Sequence, residues 1–112
     1  MNLLFLQALE SVGAAHRHLE VGELRPCSKE IQQAWEILLE LKKSLPPSLD
    51  GEVKRSLESV IGYFQTRLME AKSQHSLRVL QEIESLLTTV HQGWLASEPQ
   101  QDGVLNSALP TD

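Results

Sequence analysis

Two long amphipathic patterns lie next to each other between Asp50 and Trp94, separated by only a few polar residues. In both patterns apolar residues recur every three or four positions, which is the period of one face of an α-helix. The segment therefore predicts an antiparallel helix hairpin whose apolar faces need further helices to cover them. The apolar positions are Val53, Leu57, Val60, Ile61, Phe64, Leu68 and Ala71, followed by Leu77, Leu80, Ile83, Leu87, Val90 and Trp94.

The first half of the chain supplies two more helices. The first is predicted to begin almost at Met1 and to end near Gly22, and the second to begin at Ser28 as its N-cap and to stop at Pro46. Asp50 and Ser76 are the predicted N-caps of the third and fourth helices, of which the third runs to about Ser73 and the fourth fades after Trp94. Four helices with short connections predict an all-α fold, an antiparallel up-down-up-down four-helix bundle.

The length of 112 residues suits one domain with one core. We assign residues 1–96 to the bundle. From Ser97 onward the apolar period disappears, Pro99, Gly103 and Pro110 interrupt the sequence, and three acidic residues stand without a basic one. Residues 97–112 are therefore predicted to be a disordered, polar and acidic tail.

Charge and composition exclude several classes of partner. Ten Lys and Arg against fifteen Asp and Glu give a net charge of −5, and no basic cluster is denser than Lys42 and Lys43. Because nucleic acids and anionic membranes recruit clustered positive charge, we expect neither as a partner. No segment approaches the roughly 20 apolar residues of a membrane span, so no membrane insertion is expected. The single Cys27 forms no intrachain disulfide and fits a reducing cytoplasm.

No group of residues in the sequence indicates catalysis, a cofactor or a metal. His16 and His18 are two residues apart and fall on different helix faces, whereas His16 and Glu20 have the spacing of a surface pair. His91 stands in the fourth helix without the nearby lysine of a phosphotransfer domain, and Cys27 has no identifiable base. We therefore predict that the protein is not an enzyme and binds no cofactor or metal.

The helices carry more apolar residues than one inward face requires. A bundle helix needs about three apolar positions in seven. The surplus predicts surface grooves that accept a partner's helix or a second copy of the chain. It consists of Phe5, Leu6 and Leu9 in the first helix, Ile37 and Leu39 in the second, and Tyr63 and Met69 in the third.

Residues of the second, third and fourth helices align without a gap to the sequence pattern of the flagellar secretion chaperone family FliS, which this chain resembles. In the third helix the family pattern of Leu, Leu-Tyr, Tyr, Arg-Leu and Ala-Asn corresponds to Leu57, Val60, Ile61, Tyr63, Arg67, Leu68, Ala71 and Lys72. The family's cap, paired leucines and final Trp correspond to Ser76, Leu86, Leu87 and Trp94. The second helix matches at Ala34, Glu36, Ile37, Glu40 and Leu41, and the first at Leu4 to Leu9.

The resemblance implies a cytoplasmic export chaperone. Such a protein binds the disordered carboxy-terminal segment of flagellin, prevents its premature polymerisation and supports its delivery to the flagellar type III export apparatus, with contact to an export-gate component. The family's amino-terminal arm, which lies over the client groove, is missing here, so we expect an open client groove. In the first helix Leu6 replaces the family's acid and Phe5 lacks the hydroxyl of its tyrosine, which allows a divergent client or a shifted role. The residues expected to contact the client are Phe5, Leu9, Trp35, Leu38, Ile61, Tyr63 and Phe64. The alternative is a non-enzymatic helical adaptor or a bundle that self-associates as a homodimer.

Overall fold

The computed structural model describes residues 1–97, which form four α-helices. They are α1 (Asn2–Glu20), α2 (Leu24–Lys43), α3 (Gly51–Gln74) and α4 (Leu77–Ser97). No strand occurs within this range, so the predicted all-α class is confirmed. The predicted disordered tail lies outside the described residues, apart from Ser97 at the end of α4.

The helices pack in chain order around a closed square. α1 contacts α2 and α4, and α3 contacts the same two helices, while within residues 1–97 the backbones of α1 and α3 lie diagonally across the core from each other. Short connections make successive helices antiparallel, and Asn2 at the start of α1 meets His91 near the end of α4. The arrangement is the predicted up-down-up-down bundle.

The core consists of the apolar faces that the sequence pattern marked. Its largest completely buried side chains come from all four helices, so each helix contributes to one common interior. Burying one such side chain stabilises the fold by roughly 1.5–3 kcal/mol. These side chains are Phe5, Val12, Ile31, Leu38, Leu41, Phe64, Leu68, Leu80, Ile83 and Leu87.

Capping side chains start two of the helices, and a glycine in a left-handed conformation follows the end of α1. The Asp50 carboxylate accepts a hydrogen bond from the Glu52 amide at 2.8 Å, and the Ser76 hydroxyl accepts one from the Val79 amide at 3.2 Å. Both predicted N-caps are therefore confirmed. Gly22 has φ +78°, a left-handed conformation that costs glycine little, and its amide bonds back to the Leu19 carbonyl at 3.0 Å.

The prediction that α2 begins at Ser28 is wrong. The helix begins at Leu24, and the Cys27 amide already donates to the Glu23 carbonyl at 3.1 Å. Pro26 is tolerated because amides in the first turn have no helical carbonyl to bond, so a missing N–H costs nothing there. Cys27 is consequently a buried helix residue and not a loop residue.

Within residues 1–97, no helix has both the length and the apolar character that crossing a bilayer requires.

Candidate functional site

The seven residues expected to contact a partner do not form one surface. Four of them, Phe5, Leu38, Ile61 and Phe64, are core side chains with at most 3% of their surface exposed. Leu9 and Trp35 are half-buried, and Tyr63 is 45% exposed. In this fold, only the last three present side-chain surface to a partner, and they lie on three different sides of the bundle.

Trp35 forms one wall of a groove between α2 and α3, which we call the α2–α3 groove. It is open to solvent and has a volume of about 740 Å³. Gly62 has nothing within 4 Å of the position a Cβ would occupy, so the groove passes directly over the helix backbone. The side-chain amide of Gln65 donates to the backbone carbonyl of Trp35 at 3.3 Å and joins the two helices at this groove. The lining residues are Trp35, Gly62, Gln65, Thr66, Met69, Glu70 and Ser73.

A second groove, on the opposite flank of α3, lies between α3 and α4 and is more apolar in its lining. This α3–α4 groove has a volume of about 500 Å³ and is lined by Glu52, Val53, Ser56, Leu57, Val60 and Val90. Val53 is 46% exposed. Leu86, 40% exposed, lies one turn before Val90 on the same side of α4 and extends the apolar surface.

Sequence reasoning missed this groove because its residues belong to the apolar stripe of the hairpin. Val53, Leu57, Val60 and Val90 were assigned to the inward seam, and their residue types do not distinguish the centre of an apolar face from its edge. The one available signal was the width of the stripe. In α3 it includes both Val60 and Ile61, which point about 100° apart, so one of the two has to leave the core.

The α3–α4 groove is bounded, toward the α3–α4 turn, by four polar side chains that we call the polar clamp: Tyr63, Arg67, Glu70 and Glu82. The Tyr63 hydroxyl donates to Glu82 at 2.5 Å. Arg67 donates to Glu70 at 2.6 Å and also to Glu82. The clamp therefore joins α3 to α4 on the surface and leaves the ring of Tyr63 exposed beside the groove.

The clamp shifts the ionisation of its members. The hydrogen bond from Tyr63, followed by that from Arg67, lowers the pKa of Glu82 below its ordinary value. The bond to Glu82 raises the pKa of the Tyr63 hydroxyl, and the bonds to Glu82 and Glu70 raise the pKa of Arg67. Glu82 is therefore ionised at neutral pH, and the clamp is an ion pair reinforced by a neutral phenol.

Leu9 belongs to a third side of the molecule, where α1 meets α4. Polar contacts join α1 to α4 both before and after Leu9 along α1. His91 Nε2 lies 2.5 Å from Asn2 Oδ1, and His16 Nδ1 lies 3.0 Å from Glu84 Oε1. His91 is 7% exposed and stacks on Phe5 with ring centroids 5.2 Å apart. This histidine therefore serves the packing of α4 on α1.

The histidines and the cysteine show no arrangement suited to catalysis or metal binding. Glu84 and Glu20 approach opposite nitrogens of His16, at 3.0 and 3.4 Å, so the three groups do not converge on one point. In the described part of the chain, no three His, Cys, Asp or Glu side chains are placed to hold a metal ion. Burial raises the pKa of the Cys27 thiol and makes it a weak nucleophile.

Comparisons with known proteins identify the family of this chain. The family model described as "Flagellar protein FliS" matches residues 1–101. The flagellar secretion chaperone FliS of Salmonella typhimurium (strain LT2) is 25% identical over 101 residues, which cover 89% of this chain and 75% of that protein. The flagellar secretion chaperone FliSB of Pseudomonas aeruginosa is 28% identical over 94 residues, or 84% of this chain and 75% of that protein. Because the family model covers almost the whole chain, this four-helix protein belongs to the FliS family of flagellar secretion chaperones.

Proposed function

We propose that this protein is a cytoplasmic, non-enzymatic export chaperone for flagellin. It binds the disordered carboxy-terminal segment of flagellin, prevents premature polymerisation and supports delivery to the flagellar type III export apparatus. The observation that carries the proposal is the pair of open grooves on the two flanks of α3, in a chain that belongs to a family of secretion chaperones. Contact with an export-gate component is part of the same proposal and follows from the family resemblance.

The grooves suit a client that gains structure on binding. An amphipathic segment places apolar residues at helical spacing, and such a row fits a shallow groove lined by Val, Leu, Trp and Met. Ordering a disordered client costs about 2–5 kcal/mol or more. Association itself costs a further roughly 4–15 kcal/mol. Apolar contact offsets the two costs at about 25 cal/mol per Å² buried, so a client has to cover several hundred Å². One groove alone offers a short contact surface for such a client, and the two grooves together offer a longer one.

The proposed contact residues are those of the sequence prediction that are accessible, together with the groove residues. Trp35 and Tyr63 contact the client directly, and Leu9 provides a smaller contact on the α1–α4 side. Phe5, Leu38, Ile61 and Phe64 form the interior on which the contact surfaces rest. The added residues are Val53, Leu57, Val60, Val90 and Met69.

The test uses isothermal calorimetry and circular dichroism with the carboxy-terminal peptide of the cognate flagellin. We expect a one-to-one complex and a gain in helicity. Val53→Asp places a charge in the α3–α4 groove and should weaken binding at least tenfold, because the carboxylate loses water when the client covers it. The matched control is Val21→Asp, since Val21 is 71% exposed at the other end of the bundle. No heat and no helicity gain with the wild-type protein would refute the proposed function.

A second copy of the chain is the alternative occupant of the grooves. Equilibrium sedimentation separates the two cases, because a client complex adds one peptide to one chain and a homodimer forms without peptide. We expect a monomer that binds peptide. A dimer that persists at low micromolar concentration and ignores the peptide would favour the adaptor.

A further inference from the structure

A third groove lies between α1 and α2, on the face of the bundle opposite the α3–α4 groove. Two adjoining cavities of about 430 and 530 Å³ share Gln7, Gln33 and Ile37 as lining residues and so form one continuous surface, which we call the α1–α2 groove. It extends along α1 from Leu4 to Arg17, about 20 Å at the rise of an α-helix. Most of its lining residues are polar or charged.

Ser11 is buried in the wall of this groove without a hydrogen bond from its side chain. It is 5% exposed, and within residues 1–97 its hydroxyl bonds to no other group. The Thr88 hydroxyl, by contrast, donates to the Glu84 carbonyl of its own helix at 2.8 Å. A buried hydroxyl without a partner costs free energy, and most such groups in folded proteins are bonded. The Ser11 hydroxyl is therefore available to a molecule that occupies the groove.

Charged side chains line the groove without pairing with one another. Four carboxylates stand against two basic groups, Arg17 and Lys29, so the lining has a net charge of −2. In the described part of the chain, none of these six side chains forms an ion pair. Because a groove with an excess of carboxylates attracts cations, its electrostatics favour a basic partner over an acidic one. The carboxylates are those of Glu10, Glu30, Glu36 and Glu40.

The neutral polar side chains of the groove suit a polypeptide backbone. A glutamine amide offers both donors and an acceptor, and a serine hydroxyl offers both as well. The side chains of Gln7 and Gln33 bond to no other group within residues 1–97, whereas Gln32 donates to Glu36 at 3.3 Å. An extended chain carries unpaired N–H and C=O groups, while a helix has already paired its own. A groove of about 20 Å holds about six residues of extended chain.

We propose that the α1–α2 groove binds an extended, basic segment of a second protein. The Ser11 hydroxyl and the side-chain amides of Gln7 and Gln33 bond to the backbone of this segment, and Glu10 and Glu30 pair with its Arg or Lys side chains. Binding of the segment is independent of flagellin binding. Because the α3–α4 groove lies on the opposite face of the bundle, a client there and a basic segment here can be held at the same time.

The first test titrates the full-length chain with a hexapeptide of alternating arginine and serine, acetylated and amidated, and follows it by ¹H–¹⁵N NMR. We expect saturable shifts of the Ser11 backbone amide and of the Gln7 and Gln33 side-chain amides. A peptide with glutamate in place of arginine should bind at least about tenfold more weakly, and added salt should weaken the arginine peptide. Absence of shifts at these residues, or equal affinity for the two peptides, would overturn the proposal.

Two other occupants of the groove give different results. Spermidine has the charge of three arginines and no peptide backbone, so it should bind at least about tenfold more weakly than the arginine peptide. Equal affinity for spermidine would make the groove a site for small cations and would refute a polypeptide partner. Spectra without peptide that change at Ser11 with protein concentration would assign the groove to a second copy of the chain and would also refute it.

Variants test the individual contacts. Ser11→Ala should weaken the arginine peptide about three- to tenfold, the usual contribution of one hydrogen bond. Its melting temperature should equal or exceed that of the wild type, because alanine removes an unbonded buried hydroxyl and is the better helix former. Glu30→Gln should weaken binding about two- to fivefold. The control, Glu58→Gln, removes the same charge from α3 outside the groove and should bind as the wild type does. Equal affinity for all four proteins, or a lower melting temperature of Ser11→Ala, would refute the binding role of Ser11.

Discussion

At the scale of single residues, Glu82 connects pH to stability. Its pKa is lowered in the folded protein, chiefly by the hydrogen bond from Tyr63 and then by Arg67. A carboxyl with a depressed folded pKa stabilises the fold above its unfolded pKa, near 4.3 for Glu, and loses this contribution as pH falls through the folded pKa. Because the clamp lies on the surface, salt and water keep the effect small.

We therefore predict that Glu82→Gln lowers the melting temperature at pH 7 by at most a few degrees, and that this difference shrinks as the pH falls below the ordinary pKa of a glutamate. Thermal unfolding followed by circular dichroism across this pH range measures it. The control is Glu10→Gln, because Glu10 is exposed on α1 and forms no ion pair within residues 1–97. A difference that stays constant with pH would show that the carboxylate charge of Glu82 does not contribute.

The residue scale also shows why the candidate site was predictable only in part. Phe64 and Ile61 were chosen for their apolar character, and both are buried, while Val53 was assigned to the seam and is exposed. All three satisfy the same helical period. Exposure depends on which side of the apolar stripe faces the neighbouring helix, and the sequence of one helix does not contain that information. Tyr63 remained accessible because its hydroxyl needs a polar partner, which Glu82 supplies at the surface.

At the scale of helices, boundaries follow from short-range chemistry and were largely predictable. Asp50, Ser76 and Gly22 act on amides or carbonyls within a few residues, so their effect is visible in the sequence. The start of α2 was predicted wrongly because Pro26 is compatible with both a turn and a first helical turn. The choice depends on the packing of Cys27 into the core, which is a tertiary contact.

The Ser76 cap gives the prediction that belongs to the helix scale. Ser76→Ala should lower the free energy of unfolding by about 1 kcal/mol, because the Val79 amide loses its acceptor at the start of α4. Urea denaturation measures the loss. Ser59→Ala is the control, since Ser59 is exposed in the middle of α3 and alanine is the better helix former, so stability should stay equal or rise slightly. Equal stability of the Ser76→Ala and wild-type proteins would mean that water replaces the cap without loss.

At the scale of the whole molecule, each helix of the closed square contacts two neighbours, and the α2–α3 and α3–α4 grooves both border α3. A client that uses both grooves therefore has to cross or wrap this helix. The square itself was predictable from four helices and short connections. The grooves depend on how far each helix is rotated about its axis, which follows from the packing of all four helices into one core.

Use of both grooves by one client predicts additive losses of affinity. Trp35→Ala removes a wall of the α2–α3 groove and should weaken binding of the flagellin peptide by about 2 kcal/mol, because Trp is enriched among the residues that dominate binding. Val53→Asp acts in the other groove. Gln65, which bonds to Trp35, lies about 18 Å along α3 from Val53, so the two losses should add within about 0.5 kcal/mol in the double variant.

Calorimetry on the two single variants and the double variant measures this sum, at a temperature where circular dichroism shows all of them folded. Leu24→Ala is the control, because Leu24 is 45% exposed at the far end of α2 and lines neither groove. If Trp35→Ala binds the peptide as wild type does while Val53→Asp does not, the client occupies the α3–α4 groove alone. The proposed path over α3 would then be wrong, because a client held on one flank has no reason to cross the helix.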